Sequence, residues 1–284
     1  MFEYCADPKS LEGLTWLSCY LTTVKHTSFY LSIFTVIGLL LVAVPPIMLL
    51  GFAGALAKRS LIAPVRWIGS LYTTMVRGIP DIVFFLFVPI ALDQGIEYLR
   101  HVSLCPDHVG SVWIGNDFVV CDIAKAPLST ADQWIHDVYG FTLAVIAYAI
   151  VFGAFAANII DGAMKAVPKG QLEAGQAIGM SPRQILFRVH LPQMWVYALP
   201  GLSNLWMILI KATPLLFLLG VEDIVYWAKE LGGMKTQAYA YDHPDWRIWY
   251  FTALLFFYLA LTWISQIGFD RIQARVSRGM AVAR

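Results

Sequence analysis

Residues 173–179 read Glu173-Ala174-Gly175-Gln176-Ala177-Ile178-Gly179, a polar stretch between two long apolar runs, and Leu191-Pro192 follows it. The local pattern predicts a short helix. Pro168 suits its beginning, because a proline at a helix start gives up no hydrogen bond, and Gly179 suits its end, because glycine tolerates a positive φ. The small side chains of Ala174 and Ala177 keep this helix thin enough to enter a groove on a partner protein. A polar helix between two membrane-crossing segments is typical of a surface that binds a partner on one side of the membrane.

A second helix is predicted directly after the first. Ser181 suits the N-cap and Pro182 the first helical position, and the pattern continues to about Leu191. The two helices form a docking loop, or else an interfacial hairpin without a partner.

The composition indicates a protein that crosses a membrane several times. The chain is 58% hydrophobic and 14% charged, with a mean hydropathy of +0.64, whereas soluble domains carry about 25% charged residues. A helix needs roughly 20 residues to span the bilayer, and the apolar runs lack the alternation of a barrel wall. We therefore predict an all-α polytopic membrane protein with five transmembrane helices, at about 29–57, 67–92, 138–160, 193–221 and 246–269.

The distribution of charge predicts the orientation of these spans. With the N-terminus outside, the inner segments hold 11 of the 20 basic residues and three of the 19 acidic ones. The outer segments then hold seven basic and fifteen acidic residues. Because Lys and Arg favour the cytoplasmic side, we expect the N-terminus outside and the C-terminus in the cytoplasm. The loop 161–192 is then cytoplasmic.

Leucines recur at helical spacing ahead of the first predicted span. Leu14, Leu17 and Leu21 lie three and four residues apart, between Leu11 and Val24. The spacing predicts a short helix on the outer membrane interface, or the ordinary start of a tilted first span.

All four cysteines fall outside the membrane in this orientation. Cys105 and Cys121 share the outer loop 93–137 and are candidates for a disulfide, which an oxidising compartment permits; free thiols are the alternative. No C-x2-C spacing occurs, so we expect no metal site. The loop carries seven acidic residues, and it is either a lid over the helix bundle or a docking surface for a soluble partner.

Several polar side chains and helix-breaking residues fall within or beside the predicted spans. Charged groups there are costly and often functional. They act as internal staples, such as an Arg77–Asp81 pair, or they line a polar path for a solute. The path candidates are Arg77, Gly78, Pro80, Asp81, Asn158, Asp161 and Lys211.

Four motifs, in order, resemble those of permease subunits of ABC importers, in the branch that takes up polar amino acids. Residues 77–80, Arg-Gly-Ile-Pro, are similar to R-G-T-P, and residues 167–174 to S-I-P-K-G-Q-x-E-A-A. The spacing from Glu173 to Pro192 matches E-A-(A/G)-x3-G-x9-(I/V)-x-L-P. Residues 209–215 are near L-K-x-T-S/A-L. The resemblance extends from about Ser32 to Phe269.

The resemblance implies a type I ABC importer permease fold with a cytoplasmic coupling helix. The residues implied in ATPase docking are Pro168, Glu173, Ala174, Gly175, Gly179, Leu191 and Pro192. The partners implied are a cytoplasmic ABC ATPase dimer, a second permease subunit that is a related chain or a copy of this one, and a periplasmic or extracellular substrate-binding protein. The implied location is the bacterial inner membrane. No nucleic acid is expected.

The chain departs from the family pattern at four positions. Gly175 replaces an alanine, Ile79 a threonine, Asn158 a glutamate and Asp161 an arginine. The polar side chains of the third span, Asn158 and Asp161, therefore differ from those of the family. Opine-type or basic amino acids fit the family, but the family's substrate preference is not transferred to this chain.

The sequence contains no G-x4-G-K-S/T motif. The chain is therefore expected to be a transport subunit rather than an enzyme. It is expected to bind no cofactor, with ATP and Mg held by the partner ATPase. The alternatives are an ion-gradient-driven secondary transporter, which five spans without internal repeats disfavour, and a non-transporting membrane scaffold, which polar residues within spans disfavour.

Overall fold

The protein is almost entirely helical. The structure is a computed structural model that describes residue 5 and residues 7–106, 112–219 and 221–277. The helices are α1 (Gly13–Leu21), α2 (Val24–Lys58), α3 (Ala63–Gly78), α4 (Asp81–Leu104), α5 (Gln133–Ala166), α6 (Lys169–Ala177), α7 (Pro182–Ile185), α8 (Leu191–Ala212), α9 (Ile224–Gly232) and α10 (Arg247–Val276). One small hairpin pairs β1 (Trp113–Ile114) with β2 (Asp117–Phe118).

Five helical segments within the described part of the chain are long and apolar enough to cross a membrane. They are Val24–Lys58, Asp81–Leu104, Gln133–Ala166, Pro182–Phe217 and Arg247–Val276. Four of them contain, or nearly contain, a predicted span. The fourth is compound, because a π-helical segment (Leu186–His190) joins α7 to α8 and a 3-10 segment (Thr213–Leu219) follows α8.

The prediction of one helix over 67–92 is wrong. Ile79 and Pro80 are extended, with φ/ψ of −112°/139° and −56°/134°, and they separate α3 from α4. A proline has no N–H to donate and forces the preceding residue away from helical geometry. The membrane-length helix therefore begins at Asp81, and α3 is a separate helix.

The boundaries of the two predicted loops also shift, because the flanking helices extend into them. Helix α4 continues to Leu104 and α5 begins at Gln133, so the outer connection is 105–132 rather than 93–137. Of the loop 161–192, residues 161–166 belong to α5, α6 occupies Lys169–Ala177, and the chain is helical again from Pro182.

The chain divides into two compact units. One contains residues 42–157 and 218–221. Its core is aromatic, with the rings of Phe85 and Tyr148 centred 4.7 Å apart and those of Tyr148 and Phe152 5.6 Å apart. The Tyr72 hydroxyl donates to the Ile150 carbonyl at 2.6 Å. This bond fastens α3 to α5.

The other unit contains residues 1–41, 158–217 and 222–284. Helix α10 packs against α8 and α9. The Thr213 hydroxyl lies 3.0 Å from the Tyr258 hydroxyl, which joins the end of α8 to the middle of α10. At the other end of α8, His190 Nε2 donates to the Met164 carbonyl at 2.9 Å. That bond holds the start of α8 to the end of α5.

Asp223 begins α9 as its N-cap. One carboxylate oxygen accepts from the Tyr226 N–H at 2.8 Å, while the other is buried without a hydrogen-bond partner among the described residues. The residue is 0% exposed, and burial raises the pKa of its carboxyl to about 6, against the opposing effect of backbone hydrogen bonds. A folded-state pKa above the unfolded value means that this carboxyl favours folding below the unfolded pKa, and that stability is lost as the pH rises through about 6.

We therefore expect Asp223→Asn to raise the melting temperature of the purified protein at about pH 8, and to raise it less at about pH 5. Asparagine caps a helix as well as aspartate does, and it buries no charge. Asp242→Asn, at an exposed position, is the control and should not change the melting temperature. A lower melting temperature for Asp223→Asn at about pH 8 would contradict this account of Asp223.

Candidate functional site

Helix α6 forms the polar segment that the sequence singles out. It begins at Lys169, with Pro168 as the extended N-cap residue at φ −59° and ψ 128°. Pro168 thus lies one position earlier than the first helical position expected for it. Its carbonyl accepts from the Gln171 N–H at 3.1 Å. Glu173 lies in the second turn of the helix.

The end of α6 is a Schellman motif centred on Gly179. The Gly179 N–H donates to the Gln176 carbonyl at 2.9 Å, and the Met180 N–H donates to the Gly175 carbonyl at 3.0 Å. These are the two bonds that define this motif. Gly179 has a φ of +79°, a conformation that L side chains rarely adopt. The predicted role of Gly179 in ending the helix is confirmed.

Gly175, where the family pattern has an alanine, lies against the following helix. A Cβ built there meets Ile185 Cγ1 at 3.3 Å and the Met180 sulfur at 3.4 Å. The close approach leaves little room for a methyl group. Glycine therefore lets α6 pack tightly on α7, and this gives the departure a structural reason.

The second helix begins as predicted and ends differently. Ser181 and Gln184 form a capping box, in which the Ser181 hydroxyl accepts from the Gln184 N–H at 3.4 Å and the Gln184 side chain accepts from the Ser181 N–H at 2.8 Å. The helix does not stop near Leu191. It passes through the π-helical segment into α8, which Leu191 and Pro192 begin.

The exposed surface of this region comes from one side of α6 and from its C-terminal turn. Glu173 and Ala174 are exposed, whereas Gly175 is buried against α7. Ile178 is 77% exposed and Phe187 is 65% exposed. Both apolar side chains were missed in the sequence analysis, although an isolated isoleucine at the end of a polar helix is a readable signal. The α6 segment (residues 168–180) therefore presents a carboxylate and an isoleucine on a thin, rigid support.

The helix break at Ile79–Pro80 brings four path candidates together in one local segment. Arg77 and Gly78 end α3, Pro80 is the N-cap of α4, and Asp81 is its first residue. The break leaves backbone carbonyls at the end of α3 and N–H groups at the start of α4 without helical partners. Such groups bind polar ligand atoms in transporters with broken helices.

The Arg77–Asp81 pair, one of the two alternatives for these residues, does not occur. Their four-residue spacing does not place them on one helix face, because the break at Ile79–Pro80 separates their helices. No ion pair involving Arg77, Asp81 or Lys211 is found among the described residues. Arg77 and Lys211 are exposed, each in the last turn of its helix. The internal-staple interpretation of the Arg77–Asp81 pair is therefore wrong.

Asn158 and Asp161 are both on α5, and they differ in their surroundings. Asn158 is half-buried, and Asp161 is buried. One Asp161 carboxylate oxygen accepts from Lys165 Nζ at 2.7 Å. Asp161 thus has a lysine partner one turn away, as the i,i+4 spacing allows, which makes it the weakest of the path candidates.

The outer connection 105–132 folds back onto the end of α4. Arg100 donates from Nε to the Ala124 carbonyl at 3.0 Å and from Nη2 to the Ile123 carbonyl at 2.9 Å. The Cys121 N–H donates to His101 Nδ1 at 3.0 Å. A groove of about 700 Å³ lies between the hairpin and α4. The described residues of the connection are therefore folded against α4, and this arrangement serves either alternative, lid or docking surface.

The four cysteines form two disulfides. Cys105 pairs with Cys121, with a Cα–Cα separation of 6.8 Å, and Cys5 pairs with Cys19 at 5.6 Å. In the chain-entropy model a closed loop of this length stabilises the fold by roughly 3 kcal/mol. His101 lies beside the Cys105–Cys121 pair, but sulfur binds metals as a thiolate, and both sulfurs are bonded to each other. The Cys5–Cys19 pairing was not predicted.

Comparison with protein families shows which family this chain belongs to. Residues 47–278 match the model of the family described as the binding-protein-dependent transport system inner membrane component. The match covers most of the chain. The chain belongs to this family. It is a permease subunit of a binding-protein-dependent importer.

Curated relatives of the permease align over most of its length. It is 35% identical to the arginine ABC transporter permease protein ArtQ of Escherichia coli strain K12, over 76% of this chain and 80% of the relative. It is 31% identical to the histidine/lysine/arginine/ornithine transport system permease protein HisQ of Salmonella typhimurium, over 82% and 86%. It is 30% identical to the nopaline transport system permease protein NocQ of Agrobacterium fabrum, over 80% and 81%.

Two solved structures share the fold of the permease. A chain from the crystal structure of an amino acid ABC transporter with histidines superposes with a TM-score of 0.60 at 24% identity, covering 90% of this chain and 98% of that one. A chain from an inward-facing methionine ABC transporter superposes with a TM-score of 0.56 at 17% identity, covering 89% and 99%. The predicted permease fold is confirmed at this level.

Proposed function

We propose that this permease moves a polar amino acid or an amino-acid-like solute into the cytoplasm, driven by a separate ATPase that docks on the α6 segment. The relatives include permeases for arginine, for histidine, lysine, arginine and ornithine, and for nopaline, which supports the substrate class. A soluble binding protein delivers the solute outside. This chain binds neither ATP nor Mg.

The geometry of the α6 segment carries the proposal. Its Schellman end fixes the direction in which Ile178 projects, and Glu173 is exposed one turn earlier. Residues 178–181 form a tight turn between α6 and α7, the capping box starts α7, and the π-helical segment joins α7 to α8. A displacement of α6 would therefore reach a membrane-length helix through one tight turn, α7 and the π-helical segment.

The polar path involves Arg77, Asp81, Asn158 and Lys211, with Asp161 as the weakest member. Polar groups facing hydrocarbon cost several kcal/mol each, and no ion pair satisfies Arg77, Asp81 or Lys211 among the described residues. We propose that these groups face a second subunit, a water-filled cavity or the solute. We propose that a second permease subunit completes the path and that a related partner chain is favoured over a second copy.

We propose that the N-terminus lies outside and the C-terminus in the cytoplasm of a bacterial inner membrane. A membrane-impermeant thiol reagent on intact cells should then label Cys105 and Cys121 only after reduction, since both are disulfide-bonded. A cysteine introduced by Lys169→Cys, at an exposed position of α6, should react only after permeabilisation. Peptide mapping locates each label.

Labelling of the Lys169→Cys variant in intact cells, together with protection of Cys105 and Cys121 after reduction, would reverse the orientation. It would also exclude ATPase docking at α6. Labelling of Cys105 and Cys121 in intact cells without a reductant would instead show that they carry free thiols.

Co-purification tests the proposal as a whole. The tagged chain, extracted under mild conditions, should retain a protein with a P-loop motif, which mass spectrometry identifies. A ligand-stability screen on the matching binding protein then assigns the substrate among polar amino acids and opine-type compounds. Recovery of the folded chain without any P-loop protein would contradict the proposal.

A further inference from the structure

Helix α1 has three distinct faces, and one of them is apolar and uncovered in the chain. Leu14 is 84% exposed, and Leu17 and Leu21 are each 39% exposed. At 100° per residue these three leucines form one stripe along the helix. The neighbouring face is centred on Thr15, about 100° around the helix from Leu14, and Ser18 lies between Thr15 and the stripe. Both residues are exposed as well. The third face is buried against the protein.

The buried face fastens α1 firmly. Cys19 is bonded to Cys5, and Trp16 packs edge-on against Trp246 with ring centroids 6.0 Å apart. The Tyr20 hydroxyl lies 3.0 Å from His243 Nε2 and donates to the Leu231 carbonyl at 3.3 Å. These contacts join α1 to the end of α9 and to the connection between α9 and α10. The orientation of the leucine stripe is therefore fixed by the fold.

Helix α1 is not the beginning of the first span. It ends at Leu21, where Thr22 has φ −102° and ψ 9°, and α2 begins at Val24. Two residues separate the helices, and an extended chain covers at most about 3.6 Å per residue. Leu21 thus lies within roughly 11 Å of the start of a membrane-length helix. The interpretation as a tilted start of α2 is wrong.

We propose that α1 is an interfacial membrane helix, with Leu14, Leu17 and Leu21 buried at the boundary between lipid headgroups and acyl chains. Three arguments favour lipid as the occupant. The stripe lies next to the end of α2 that starts a span, a neighbouring face carries hydroxyl groups suited to the headgroup region, and a helix with separate apolar and polar faces binds in the plane of the interface.

The anchor has a consequence for the segment to which it is fastened. Through Trp16 and Tyr20, α1 holds the connection 233–246 at a fixed depth relative to the bilayer. No charged residue occurs within Gly13–Leu21. Attachment through this helix should therefore depend on apolar burial and not on anionic lipid.

Nitroxide labels at two exposed positions of α1 test the proposal. Leu14→Cys and Thr15→Cys are each labelled in the full chain, reconstituted in bilayers of neutral lipid, and peptide mapping verifies that Cys5 and Cys19 remain paired. Oxygen concentrates among the acyl chains. It should therefore increase the spin-relaxation rate of the nitroxide at position 14 several-fold more than a water-soluble nickel chelate does. The label at position 15, about 100° around the helix from position 14, should show the opposite preference. A label introduced by Leu17→Cys repeats the measurement on the apolar stripe.

Two results would overturn the proposal. Equal access of the nickel chelate to positions 14 and 15 would place the leucine stripe in water. Shielding of position 14 from both reagents, or loss of its oxygen contact when the binding protein is added, would mean that a protein covers the stripe. Both outcomes leave the proposed transport function untouched, because neither measurement depends on ATP or on substrate.

Discussion

Gly179→Leu is expected to abolish uptake while the chain still inserts into the membrane. Gly179 has a φ of +79°, and a residue with a side chain pays about 1–2 kcal/mol in that conformation. If the leucine rotates the backbone to a negative φ, the two hydrogen bonds to the Gln176 and Gly175 carbonyls are lost. The end of α6 then changes direction, and Ile178 no longer projects where the ATPase is proposed to bind.

A pull-down with the ATPase subunit measures the effect directly. Gly13→Leu is the matched control, because Gly13 also has a positive φ, +59°, and open space around a built Cβ, but it lies at the start of α1. The control should retain the ATPase at the wild-type level. Wild-type recovery of the ATPase by Gly179→Leu would refute docking at α6.

Glu173→Arg provides an independent test of the same surface. Glu173 is exposed, so the substitution reverses a charge without disturbing the packing of α6 on α7. We expect the ATPase to be lost from the pull-down here as well. If only Gly179→Leu loses it, the shape of the helix end decides docking and the carboxylate does not.

Lys211→Ala is expected to lower uptake by roughly 10- to 100-fold, because a hydrogen bond to a charged group contributes about 1.5–3 kcal/mol. The amount of folded protein should not change, since Lys211 is exposed at the end of α8 and leaves no counter-ion stranded. The same expectation holds for Arg77→Ala. The measurement is uptake, together with ATPase activity stimulated by the binding protein, in proteoliposomes. Lys229→Ala, at an exposed lysine of α9 outside the candidate spans, is the control.

Asn158→Ala tests the third residue of the proposed polar path. It should alter the apparent affinity for the substrate or the coupling of ATP hydrolysis to uptake. If Asn158→Ala and Lys211→Ala both transport like the wild type, these residues do not line the path.

The features that could be predicted from the sequence are those fixed by a few neighbouring residues. The positive φ of Gly179 and the cap formed by Ser181 before Pro182 depend on local backbone chemistry. Five membrane-length helices followed from length and hydropathy alone. The four motifs matched the family because each occupies a short stretch of chain.

The features that were missed depend on competition between signals or on distant contacts. Apolar residues continue through Ile79–Pro80, so hydropathy favoured one helix, and the backbone restriction at Pro80 prevailed over it. The pairing of Cys5 with Cys19 depends on how α1 packs against the protein. The π-helical segment before Leu191 has no signal in the residue pattern that we recognise.

Uptake by proteoliposomes that contain the co-purified assembly tests the central claim most directly. With ATP and Mg inside, binding protein and labelled amino acid outside, and ionophores present to abolish ion gradients, we predict accumulation that ceases when either ATP or the binding protein is omitted. Accumulation that needs an ion gradient and proceeds without ATP would contradict the account and identify a secondary transporter.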